Sequence, residues 1–229
     1  METKAYHWIL LDLDNTIFDF STSSKLAFSA FLNDFDIVEQ DDYYRLYEKV
    51  NTLAWRKLET GEIDSDEVKW RRFMDFFKSI GSDKDPHQAN ECYLDHLVDN
   101  FRFIHQAEDI VDYLSKYYKL AAVTNGLKKV QRPRLFKSGI MDAFSTVVVS
   151  EEVGVAKPQK AFFDVAFKSM GSPFKDRVMI IGDNLSSDIK GGLDYGIATC
   201  WYNHEQIENE TEFLPHFEVK KLKEVKEIL

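Results

Sequence analysis

Two aspartates at the end of an apolar run, Trp8-Ile9-Leu10-Leu11-Asp12-Leu13-Asp14, are the residues of this chain best placed to do chemistry. Successive side chains of a strand point to opposite faces, so Asp12 and Asp14 share one side and Leu13 turns to the other. Carboxylates that close repel one another unless a cation or a shared proton neutralises them. An acidic turn after a strand would use the same residue types. Other residues must therefore decide between a turn and a site.

Three further polar blocks follow apolar stretches of strand length. Thr124-Asn125-Gly126 follows Lys119–Val123, Lys157-Pro158 lies beyond Ser145–Val149, and Gly182-Asp183 with Asp188 follows Arg177–Ile181. Taken singly each has a plainer explanation. Asn-Gly is a turn signal, a lysine before proline is commonly solvated, and Gly-Asp followed by Ser and Asp can be a loop with a helix cap. In an open parallel sheet, however, ligands bind at the carboxyl ends of the strands, and all four blocks stand there.

Charge gives such a gathering a reason. Asp12, Asp14, Asp183 and Asp188 set against Lys157 leave a surplus of three negative charges, which a cleft cannot hold without a cation. An all-oxygen ligand set favours Mg²⁺ over softer metals. A phosphate would then be held between the metal, Lys157, the Thr124 hydroxyl and backbone N–H groups. The chemistry indicated is phosphoryl transfer.

The elements that must position these groups fall into two kinds. From Asp19 to about Phe101 the pattern is helical and aromatic: Leu26, Phe28, Phe31, Leu32 and Phe35 suit one helix, and Tyr43 to Leu58 a second ending near Gly61. Asp64 with Glu67 resembles a capping box opening a third helix that runs to Gly81, and Asp85-Pro86 starts a fourth. From Ala107 onward helices alternate with short apolar strands, which predicts a parallel sheet covered on both faces. The N-terminal strand lacks a local partner and should join that sheet. The fold class is thus α/β, with a catalytic core of residues 1–18 and 102–229 and an inserted α-helical domain of residues 19–101. Pro133 falls inside the helix after Thr124 and should kink it or break it in two. The tail from Gln206 predicts a last strand or packing segment and a short charged helix.

Composition bounds the partners. A formal net charge of −10 over 229 residues disfavours nucleic-acid polymers and anionic membranes, which carry the same sign. Cys92 and Cys200, far apart and outside any CxxC spacing, indicate neither a disulfide framework nor a zinc site. None of the six histidines shows HxxxH spacing. With no secretory pattern and no run of about 20 apolar residues, the expectation is a soluble cytoplasmic protein, monomer or dimer, acting on a small molecule.

In order and local context, Asp12-x-Asp14-x-Thr16, Thr124-Asn125-Gly126, Lys157-Pro158 and Gly182-Asp183 with Asp188 resemble the four motifs of the haloacid dehalogenase superfamily, over residues 9 to about 196. The resemblance implies a Rossmann-like core with a helical cap inserted after the first motif. It implies that Asp12 attacks phosphorus to give an aspartyl-phosphate, and that Asp14 protonates the leaving oxygen and then activates water. Mg²⁺ would be held by Asp12, Asp183 and the backbone carbonyl of Asp14, with Asp188 orienting the metal shell or the lysine. Thr124 would bind the phosphoryl group together with backbone donors around Asn125 and Gly126, Thr16 stands among the same contacts, and Lys157 would offset negative charge. Dehalogenases of the superfamily lack the second aspartate, so Asp14 favours a phosphatase or phosphomutase.

Ala54 to Ile63 followed by Arg71-Arg72-Phe73 resembles the cap of bacterial nucleotidases acting on pyrimidine nucleoside monophosphates. On that resemblance a 5′-nucleotide leads as substrate, with phosphoglycolate or a sugar phosphate next. A phosphomutase similar to the β-phosphoglucomutases and a non-catalytic phosphate-binding domain are the alternatives. From the cap, Trp55, Arg56, Arg71 and Arg72 are the residues that could reach a substrate.

Overall fold

The computed structural model describes residues 5–59 and 62–229. The expected helix end at Gly61 lies outside them. Two compact units divide the chain, one holding the sequence up to Phe20 and from Phe101 onward, the other Ser21–Asn100.

Strand β1 (Trp8–Leu11) precedes four helices: α1 (Phe20–Asp34), α2 (Tyr43–Glu59), α3 (Ser65–Ile80) and α4 (Pro86–Asp99). Phe28, Phe31, Tyr47, Phe73, Phe76 and Tyr93 are fully buried in this helical unit. Phe28 stacks on Tyr47 at 4.8 Å between ring centroids and Phe31 meets Phe73 edge-on at 5.2 Å, geometries that add to plain burial. Not every apolar position of the helical pattern joins in: Leu26, Leu53 and Met74 are exposed. The capping box is present, with Asp64 accepting from the N–H of Asp66 and Glu67 while Glu67 accepts from Asp64 N–H. Gly81 ends α3 at φ +69°, a conformation that costs glycine nothing.

The other unit continues with α5 (Ala107–Tyr117), β2 (Lys119–Thr124), α6 (Lys128–Lys137), β3 (Phe144–Val149), α7 (Ser150–Val153), α8 (Lys160–Ser169), β4 (Val178–Gly182), α9 (Lys190–Tyr195), β5 (Ala198–Tyr202), β6 (Phe217–Val219) and α10 (Val225–Ile228). Its six strands form one parallel sheet ordered β3-β2-β1-β4-β5-β6. Alternation along β1 divides the core: Ile9, Leu11 and Leu13 pack on one face of the sheet, Trp8 and Leu10 on the other. Strand order reverses between β1 and β4, where open sheets of this kind bind ligands. Leu11 is level with Ala122 of β2 and Ile181 of β4, so Asp12 emerges between the ends of its two neighbours.

Two sequence expectations need correction. Pro133 does not break its helix, since α6 runs on from Lys128 to Lys137. Gln131 and Arg134, one on each side of the proline, are both anchored to Asp14. The helix expected from Ser187 to Tyr195 is instead a π-helical turn, Leu185–Ile189, followed by α9. Among the described residues no helix is long and apolar enough to cross a membrane.

Candidate active site

Lys157 is the hub. Its Nζ donates to Asp12 Oδ1 at 2.6 Å, to Asp188 Oδ1 at 2.6 Å and to the Val123 carbonyl at 2.8 Å, which uses all three ammonium protons. The lysine follows the loop after α7, and Asn125 holds it there. Asn125 Nδ2 donates to the Lys157 carbonyl and Asn125 Oδ1 accepts the Lys157 N–H, both at 2.9 Å. Among the candidate phosphate ligands, the Asn125 side chain is thus engaged with the Lys157 main chain. Thr124 Oγ1 accepts the Gly126 N–H at 3.1 Å, closing the turn after β2.

The end of β4 supplies the other carboxylates. Asp183 N–H donates to Thr16 Oγ1 at 3.1 Å, and the same hydroxyl reaches Asp183 Oδ1 at 3.3 Å. Thr16 is fully buried, with its hydroxyl committed to Asp183. The indole N–H of Trp201 fixes the Asp183 carbonyl at 2.8 Å. Asp188 Oδ2 accepts the Asn184 N–H at 3.2 Å and lies where a Cβ on Gly182 would be, 2.3 Å from it. That close approach is why the strand ends in glycine.

Asp14 stands apart from this group. Its Oδ2 accepts Gln131 Nε2 at 2.6 Å, and its Oδ1 accepts Arg134 Nη2. Neither Gln131 nor Arg134 figures among the residues expected from sequence. Their signal was the Gln-x-x-Arg spacing, which puts both on one face of α6. A buried arginine looks like any surface arginine until its carboxylate is known. With Arg134 counted, the four carboxylates face two cations, and the negative surplus is smaller than the sequence indicated.

Burial pushes the Asp12 carboxyl up to about 7, helped by repulsion from Asp188 and Asp14 and opposed by Lys157. Burial pushes Asp183 up to about 8, with Asp12 and Asp188 adding to it. Burial alone would lower Lys157, but Asp12 and Asp188 outweigh it and hold the ammonium above its ordinary value. Asp12, Asp183 and Asp188 each bring a carboxylate oxygen within 4.8 Å of the others. An all-oxygen, charge-surplus set of this kind, with Asp12 and Asp188 buried and Asp183 half-buried, fits a hard divalent cation. The carboxylate of Asp14 is not in the set; the sequence reading gave it a backbone carbonyl contact.

Two polar groups lie in the helical unit. Arg72 is buried and donates to Asn51 Oδ1 and Asn90 Oδ1, both at 2.9 Å, while Arg71 pairs with Glu67 at 2.8 Å. Asp34, Cys92 and His96 also come together, a Cys-x-x-x-His arrangement on α4 facing the end of α1. Asp34 already accepts from both partners, at 2.7 Å from His96 Nε2 and 3.4 Å from Cys92 Sγ.

Comparison with known proteins follows the same lines. The chain matches the haloacid dehalogenase-like hydrolase family over residues 9–202. It is 32% identical over 224 residues to the pyrimidine 5′-nucleotidase YjjG of Escherichia coli, covering 98% of each chain. It is 32% identical to the pyrimidine 5′-nucleotidase PynA of Streptococcus pneumoniae, covering 93% of this chain and 91% of that one. The magnesium-bound crystal structure of the HAD-hydrolase YfnB of Bacillus subtilis superposes with a TM-score of 0.92 at 34% identity, covering 99% of both. By motif order, sheet topology and these similarities, the chain belongs to the haloacid dehalogenase-like hydrolase family.

Proposed function

We propose that this protein is a Mg²⁺-dependent phosphatase that hydrolyses a small phosphomonoester through an aspartyl-phosphate, with a pyrimidine nucleoside 5′-monophosphate as the leading substrate. One observation carries the reading: Lys157 Nζ lies 2.6 Å from both Asp12 and Asp188, with the half-buried Asp183 in the same cluster. Three carboxylates and one ammonium call for a dication, and the two cations together would receive a phosphate. The substrate class is supported by the similarity to YjjG and PynA.

A carboxylate oxygen of Asp12 attacks phosphorus, the bond from phosphorus to the ester oxygen breaks, and its electron pair leaves on that oxygen. Asp14 delivers a proton to the departing alcohol. Water then passes a proton to Asp14 and attacks the phosphoryl group, the bond to Asp12 breaks, and inorganic phosphate is released with Asp12 as carboxylate. Lys157 holds Asp12 and opposes the charge gathering there, and Thr124 with the N–H groups around it supplies donors to the phosphoryl oxygens. Bound Mg²⁺, held by Asp12 and Asp183, would act as a Lewis acid on those oxygens. Residues 19–101 act as a cap that contributes substrate selection.

A screen of nucleotides, sugar phosphates and phosphoglycolate with Mg²⁺ tests the reading. Phosphate release that is abolished by EDTA and is fastest on uridine or thymidine monophosphate is the expected result. Rapid isomerisation of a hexose phosphate without release would point to a mutase and overturn it.

A further inference from the structure

We propose that Arg134 and Gln131 are positioning residues that hold the Asp14 carboxyl group in line with the leaving oxygen, so that it can serve as proton donor. The inference rests on the phosphatase reading above.

The three side chains form a closed ring of hydrogen bonds. Gln131 Nε2 donates to Asp14 Oδ2 at 2.6 Å, Arg134 Nη2 donates to Asp14 Oδ1, and the same Nη2 donates to Gln131 Oε1 at 2.6 Å. The last bond settles which way the Gln131 amide faces, because its oxygen is taken by Arg134 and its nitrogen must point at Asp14. Each oxygen of Asp14 thus receives one fixed donor and keeps a lone pair. The plane of the carboxyl group is set without either oxygen being closed to a proton.

This arrangement is costly as a purely structural device. Arg134 is fully buried, its guanidinium carbon lies 4.3 Å from the centre of the Phe18 ring, and its Nε and Nη1 have no hydrogen-bond partner among the described residues. A buried cation with three unmatched N–H donors on two nitrogens gains nothing over an apolar side chain of similar volume. Gln131 is also buried, and it sits where residue 126 has no side chain: a Cβ on Gly126 would lie 1.9 Å from Gln131 Nε2. A glycine, a glutamine and an arginine are all committed to the orientation of one carboxylate. That carboxylate is the one the hydrolysis needs at an exact angle, since proton transfer requires hydrogen-bond reach of the departing oxygen.

Leaving-group dependence separates this role from a structural one. An alkyl ester such as uridine 5′-monophosphate or ribose 5-phosphate departs as a strongly basic alkoxide and needs the proton, whereas p-nitrophenyl phosphate releases a stable phenolate without it. Gln131→Leu and Arg134→Met are expected to lower kcat/KM, which reads the steps up to departure of the alcohol and not the later hydrolysis of the aspartyl-phosphate, on the alkyl esters by about 100-fold and on p-nitrophenyl phosphate by less than about 3-fold. Arg134→Lys keeps a donor toward Asp14 and is expected to recover about tenfold of the alkyl-ester loss. Equal losses of kcat/KM on both ester types, or no loss on either, would overturn the positioning role. Gln131→Leu introduces no charge change and reads the same quantity should Arg134→Met fold poorly. Wild-type protein that releases phosphate from neither ester type would overturn the phosphatase reading, a distinct outcome from equal losses in an active enzyme.

Discussion

Thr16 and Asp183 hold each other at both ends: the Thr16 hydroxyl accepts the Asp183 N–H at 3.1 Å and reaches Asp183 Oδ1 at 3.3 Å. The loop after β1 and the loop after β4 are thereby tied together through the residue proposed to hold the cation. Thr16→Val preserves shape and removes both contacts. Groups that orient a metal ligand affect metal affinity by about 10–100-fold when removed, so Mg²⁺ affinity by isothermal titration is expected to weaken by about tenfold. Unchanged affinity would show that Asp183 needs no such support.

Asp12→Asn tests the nucleophile. Removing a covalent nucleophile costs on the order of 10⁴ or more in kcat, and the variant is expected to fall by that amount on every ester while still folding. Substantial turnover by Asp12→Asn on the best substrate would assign the attack elsewhere.

Asn125 is expected to be a stability residue as much as a site residue. Its side-chain amide bonds the main chain of Lys157 through both its nitrogen and its oxygen, and Asn125→Ala removes two hydrogen bonds worth about 2 kcal/mol together. Urea unfolding should show this loss, accompanied by reduced kcat because Lys157 is no longer fixed between Asp12 and Asp188.

Metal binding and pH are expected to be coupled at Asp12 and Asp183. Both carboxyls are pushed above their ordinary value of 3.8, to about 7 and about 8. The cation-free folded protein therefore binds protons that the unfolded chain has released. The stability linked to those protons is fully present below about pH 4 and is lost as pH rises through about 7 to 8. A dication displaces the protons, so its affinity is expected to rise over the same upper window and its effect on the melting temperature to be larger at pH 8.5 than at pH 6. Calorimetry in buffers of different ionisation enthalpy should count the protons released. Zero release at pH 6.5 would contradict the coupling.

Arg72 is expected to behave as a core residue. Its guanidinium lies 5.1 Å from the Phe73 ring centre and 5.2 Å from that of Tyr93, and it satisfies Asn51 and Asn90. Arg72→Met strands the buried acceptor of Asn90 and should cost about 2 kcal/mol, read as a lower melting temperature with KM unchanged. A raised KM at unchanged stability would return Arg72 to substrate binding.

The fold was legible because its signals are local. Short apolar strands between helices, the Asp64–Glu67 capping box and the glycines at helix ends each act within a few residues, and the elements they predict are present. The aromatic helical stretch was equally plain, although periodicity overstated its core at Leu26, Leu53 and Met74. Burial of an apolar helix position depends on which element packs alongside it, which spacing within the helix does not record.

The candidate site divides in the same way. By itself the sequence determined which acidic, hydroxyl and lysine side chains stand at strand ends, because position along a strand and the chain order of the motifs are one-dimensional facts. Only the tertiary structure decided who touches whom: that Lys157 bridges Asp12 and Asp188, that Thr16 serves Asp183, and that Asp14 is gripped by Gln131 and Arg134. Apart from Lys157 and Asp188, 31 positions apart, those pairings join residues more than a hundred positions apart. Sequence distance carries no record of them, since they follow from strand order and register, and from burial that leaves a charged group no partner except the one packed against it.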